Sequence, residues 1–172
     1  MNFALFIGVA LILGAIQSSL WFQTLGNFPA PQLWLLVIVY LCIQRVPIQG
    51  ILMMYVMSIV LNGFTAVPFG LLLLLTLLIW LGLYTFKARI FWPGPTFYAL
   101  MCAATTFAMP ILHLALTWMF EKNPVSRLSL FSLLVSPLLT FLIAFPLYEV
   151  FAWIDRVTHK ELPAESSRGQ EV

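Results

Sequence analysis

Charge is what this sequence has least of. Lys and Arg contribute 8 residues, Asp and Glu 6, and together they make up 8% of the 172-residue chain. A soluble domain carries about 25% charged residues. With hydrophobic residues at 62%, there is too little polar side chain to coat a folded surface in water. Lipid is the solvent this composition fits. The net charge of +2 and the lack of a basic stripe argue against a nucleic-acid partner. Cysteine is scarce as well. Cys42 and Cys102 sit inside apolar runs with no His, Cys or carboxylate at metal-ligand spacing. They read as small buried hydrophobes. No disulfide, metal or cofactor is implied.

The motifs of membrane enzymes are missing too. His-Glu-x-x-His, Gly-x-Ser-x-Gly, the P-loop and the dinucleotide fingerprint do not occur. Glu149 is the acidic residue nearest a helix interior, and no mid-membrane charge of the kind a proton-coupled transporter uses is apparent. His113 is the histidine within a span, and it reads as a helix-helix or interfacial side chain. Glu149, beside Tyr148 and Trp153, reads as part of an aromatic interfacial belt, with Arg45 or Lys87 as alternative partners. The expectation is a protein that is not an enzyme.

What is present is a set of long uncharged runs: Met1 to Gln44, Val46 to Phe86, Ile90 to Phe120 and Leu128 to Tyr148. A spanning helix needs about 20 residues. The runs therefore hold two, two, one and one spans. Gly26-Asn27-Phe28-Pro29-Ala30-Pro31 divides the first run, and Asn62-Gly63 with Pro68-Phe69-Gly70 divides the second. The expected helices cover roughly 3–22, 31–44, 48–62, 69–86, 96–119 and 128–153. The apolar N-terminal segment lacks a preceding basic residue and is followed by more apolar runs, so it reads as a retained helix. The fold class is thus an all-α polytopic membrane protein with a six-helix transmembrane bundle over 1–153. Residues 154–172 form a short, mobile cytoplasmic tail.

Basic residues set the orientation. Arg45, Lys87, Arg89, Arg156, Lys160 and Arg168 fall on one side of six spans, against Lys122 and Arg127 on the other. Both termini are expected on the cytoplasmic side of an inner membrane. Within the spans, Ser132, Ser136, Thr140 and Ala144 repeat at i, i+4 and form a candidate helix-interface stripe. Gln17, Ser18 and Ser19 either satisfy one another or line an outer cavity.

Residues 31 to 71 carry a resemblance. Pro31 leads an apolar segment ending in Tyr40. Then come Arg45, Gly50, Leu61-Asn62-Gly63 and Pro68-Phe69-Gly70-Leu71. This pattern resembles the rod shape-determining protein MreD family, with Asn62 where that family commonly has Asp and Phe69 where Leu is usual. The positions carrying the motif are Pro31, Tyr40, Arg45, Gly50, Asn62, Pro68 and Gly70. The resemblance implies a non-enzymatic membrane scaffold of the cell-elongation machinery. Its implied partners are an MreC-like bitopic protein, then MreB, RodA and its transpeptidase partner, and membrane lipids, in support of peptidoglycan synthesis and cell shape. It also implies a fold similar to the substrate-capture subunits of energy-coupling-factor transporters. The alternative function is therefore a small-molecule-binding transporter subunit, with an outward pocket near Gln17, Asn62 and His113.

Overall fold

A computed structural model describes residues 3–26, 28–45, 47–65, 67–89, 94–120 and 129–158. Every regular element among them is helical: α1 (Phe3–Ala15), a π-helical turn (Ile16–Leu20), α2 (Trp21–Leu25), α3 (Leu33–Gln44), α4 (Pro47–Asn62), α5 (Phe69–Arg89), α6 (Pro95–Phe120) and α7 (Leu130–Val157). The backbone stays right-handed helical at Ala15 and Trp21, where the π turn joins its neighbours. Residues 3–25 therefore form one rod. Three helices, α5, α6 and α7, are long and apolar enough to cross a membrane, and α3 and α4 are shorter apolar helices.

The short α3 is the centre of the molecule. Its residues Leu33 to Ile43 are all buried, and it packs against α1, α4, α5, α6 and α7. A helix that is apolar on every face is one enclosed by protein. Twelve residues rise only about 18 Å, and its neighbours shield this short rod on all sides. The outer helices are two-faced. On α7, Ser136, Thr140 and Ala144 are buried, while Leu130, Leu134, Leu138 and Leu142 on the opposite face are exposed. Leucines turned outward along a long apolar helix suit hydrocarbon.

The helix ends differ from expectation in a few places. The break at 26–31 reaches further, so α3 starts at Leu33. The last helix runs on to Val157, past the anticipated boundary at 153, because its buried face continues through Phe151, Ala152 and Asp155. The rest of the expected tail, 159–172, lies outside the described residues, as do Lys122, Arg127, Lys160 and Arg168. Pro110, Pro137 and Pro146 lie inside helices that continue through them.

Two glycines of the motif sit in opposite surroundings. A Cβ on Gly50 would lie 3.0 Å from Trp80 Nε1, whereas one on Gly70 meets nothing within 4 Å. Gly50 is where α4 closes onto α5. Gly50→Leu should lower stability by about 1–3 kcal/mol through overpacking, and Gly70→Ala should leave it unchanged or raise it by up to about 1 kcal/mol. Thermal unfolding midpoints in detergent test both. Equal effects at the two positions would contradict this packing.

Candidate functional site

Two groups of polar side chains meet at the two ends of α3. At its C-terminal end, the Asp155 carboxylate is fully buried. Arg45, just past the last turn of α3, pairs with its Oδ1 through Nη2. Tyr40 donates its hydroxyl to Oδ2 at 2.9 Å. Both carboxylate oxygens are thereby met. The Arg45 side chain is only 8% exposed, and its guanidinium lies 5.6 Å from the centre of the Phe6 ring, within cation–π range. Phe6 stacks on Tyr40 at 5.9 Å, and Phe151, at 5.1 Å, and Tyr98, at 6.0 Å, complete the aromatic wall. Four helices thus supply one ion pair with its walls: α1, α3, α6 and α7.

Charges in such a place must be paired and hydrogen-bonded, because each costs several kcal/mol to desolvate. The geometry meets that demand through a guanidinium, a phenol and a ring face. Nearby, Tyr98 donates to the Leu36 carbonyl at 2.9 Å and Lys87 to the Cys42 carbonyl at 3.4 Å. The latter places a cation against a helix C-terminus, where it is favoured.

At the N-terminal end, α3 begins with backbone N–H groups that have no partner inside the helix. Other helices supply acceptors. Gln32 N–H donates to Thr140 Oγ1 at 3.1 Å, and Leu33 N–H donates to Gln17 Oε1 at 2.8 Å. Gln17 Nε2 reaches Gln32 Oε1 at 3.3 Å. Ser136 Oγ donates to the Ala30 carbonyl at 2.6 Å. Gln17 stands on the π turn, a feature often found at functional positions of helices. Here its side chain caps α3.

The structure therefore brings together only part of the motif. Tyr40 and Arg45 converge on Asp155. Pro31 is buried at the entry to α3 and Gly50 lies against Trp80. Asn62 at the end of α4, Pro68 on the α4–α5 turn and Gly70 in the first turn of α5 are exposed. Of the α7 stripe, Ser136, Thr140 and Ala144 turn inward while Ser132 is exposed. Inward-facing Ser136 and Thr140 hold α3, so a partner on this helix would meet the leucine face instead.

Sequence reading missed Asp155, which it placed in the tail. Glu149, singled out instead, is exposed, and Arg45, one of its suggested partners, is engaged by Asp155. His113 is half-buried on α6. Gln17 lines a cavity of about 200 Å³ with Gly14, Trp34, Leu61 and Phe64. Asn62 and His113 do not line it, so the three suggested pocket residues do not share that space. Both cysteines are free and buried. No cluster of metal-ligating side chains occurs among the described residues.

Compared with known proteins, the chain matches no family model, no curated protein and no solved structure.

Removing the Tyr40 hydroxyl isolates one bond of the site, since phenylalanine keeps the ring contacts. A hydrogen bond to a charged group contributes about 1.5–3 kcal/mol. Tyr40→Phe should lower unfolding stability by that amount. An unchanged midpoint would mean that the carboxylate does not depend on the phenol.

Proposed function

We propose that this chain is a multi-pass inner-membrane scaffold of the bacterial cell-elongation machinery, related in role to MreD, and not an enzyme. In this reading the rods are six spans, both termini are cytoplasmic, and the fold is similar to the substrate-capture subunits of energy-coupling-factor transporters. The short α3 fits such a bundle because its neighbours, rather than lipid, surround it.

One observation carries the reading: the motif divides between inside and outside. Tyr40, Arg45 and Gly50 are used up by internal contacts. Asn62 and Gly70 are exposed, and a Cβ at Gly70 would touch nothing. Pro68 serves the helix start, its carbonyl accepting from Leu71 and Leu72 at 3.0 Å. Motif residues with no internal task are available to a partner. A glycine facing outward lets another backbone come close. The α4–α5 turn is therefore the docking point proposed for the MreC-like bitopic protein, with MreB, RodA and its transpeptidase partner joined through the assembly.

Affinity purification from native membranes in mild detergent tests this. The wild-type chain should bring down an MreC-like bitopic protein. Gly70→Leu and Asn62→Arg should each reduce recovery about tenfold, the effect of losing roughly 1.4 kcal/mol at a contact, with unchanged unfolding midpoints. Full recovery by both variants would remove the α4–α5 turn from the interface. Recovery of ATPase subunits and a retained vitamin-like ligand would overturn the scaffold in favour of a transporter subunit.

A further inference from the structure

The packing of α5 beside α6 is interrupted at Gly82. A Cβ placed there would meet nothing within 4 Å, and the open space belongs to a cavity of about 170 Å³ between the two helices. Small residues line it from both sides, Gly82 on α5 and Ala104 and Ala108 on α6. Gly82 and Ala108 are half-buried and Ala104 is exposed, so the cavity opens to the outside of the bundle. Phe86 and Met101 add apolar walls. Thr105 is the one polar side chain of the lining, and its hydroxyl already donates to the Met101 carbonyl at 2.6 Å. Such a lining suits hydrocarbon, since a polar occupant would find nothing to bond.

One end of the groove carries positive charge. Arg89, the last residue of α5, stands about 10 Å along the axis from Gly82 and about 20° around it, so the two share a face. It is exposed and has no ion-pair partner among the described residues. Lys87 adds a second cation in the same turn, on the Cys42 carbonyl. Residues 90–94 join α5 to α6, which brings the start of α6 to the same end. The first turn of a helix favours an anion, and the exposed Thr96 adds a hydroxyl there. An apolar groove capped by a guanidinium fits a ligand with a hydrocarbon tail and an anionic head. A docked helix fits it less well. With its side chains a helix is about 10–12 Å across, and Leu81, Phe107 and Ile111, exposed beside the small residues, hold it off.

We infer that the groove between α5 and α6 holds an acyl chain of one anionic phospholipid, with the lipid phosphate against Arg89. The bound lipid makes the packing of α5 on α6 responsive to the anionic lipid content of the membrane. The site is separate from the Arg45–Asp155 pair and from the α4–α5 turn. It rests on the reading of α5 and α6 as membrane spans and not on the scaffold role.

The test uses the full chain in neutral detergent, stripped of lipid and titrated with dioleoyl phosphatidylglycerol or dioleoyl phosphatidylcholine. Native mass spectrometry counts the bound lipid, and the unfolding midpoint reads stabilisation. One phosphatidylglycerol should bind saturably, about fivefold more tightly than phosphatidylcholine, the contribution of one basic residue beside an anionic lipid. Arg89→Gln should abolish that preference and leave phosphatidylcholine binding unchanged. Gly82→Phe should weaken both lipids by filling the groove, with a lipid-free midpoint near that of wild type because the space around Gly82 is open. Ala104→Phe should do the same from the α6 side, and Leu138→Phe, on the exposed face of α7, should change neither lipid. Equal binding of the two lipids by wild type, an unchanged preference in Arg89→Gln, or full binding by Gly82→Phe and Ala104→Phe would each overturn the site. Lipid-free dimerisation that Gly82→Phe abolishes would overturn it in favour of a second copy of the chain. A chain that stays monodisperse without detergent would overturn the membrane reading beneath it, an outcome distinct from lost lipid selectivity.

Discussion

Taking a carboxylate and a guanidinium out of water costs several kcal/mol for each ion, and their attraction repays it only where the geometry is good and the remaining hydrogen-bonding positions are filled. Asp155 and Arg45 meet that condition, with Tyr40 on the second oxygen and the Phe6 ring beneath the cation. The pair joins the central helix to the last one. Everything around it is arranged so that these charges are enclosed and satisfied, and breaking the arrangement from either side leaves an unpaired ion in an apolar surrounding.

The opposite end of α3 is tied down by neutral groups: Thr140 and Gln17 on its first N–H groups, and Ser136 on the Ala30 carbonyl. A short helix enclosed on all sides has no water to satisfy its ends, so neighbouring helices must do it. Fixed at both ends to α7, α3 acts as the pin of the bundle.

Much of this was legible in the sequence and some was not. Uncharged runs and the Gly26–Pro31 and Asn62–Gly70 breaks locate the helices to within a few residues, because charge and proline are costly inside apolar helices. Asp155 escaped because charges that follow an apolar run, here Glu149, Asp155 and Arg156, normally mark a helix leaving the apolar zone. Its neighbour Arg156 does face out, but adjacent helical residues point about 100° apart. A signal was there: Ser136, Thr140, Ala144, Tyr148, Phe151 and Asp155 follow one another at helical spacing, a single face that continues past the expected end. The π turn at Ile16–Leu20 leaves no mark in residue type, although Gln17 within it caps α3.

The measurement that bears most directly on the central pair is a double-mutant cycle of Arg45→Met and Asp155→Leu, read as unfolding free energy in detergent. Removing one ion strands the other, so each single substitution should cost about 3–5 kcal/mol, while the double substitution, which leaves no buried charge, should cost less than either. Losses that simply add in the double variant would mean that Arg45 and Asp155 act independently, and the pin that holds the bundle would have to be sought elsewhere.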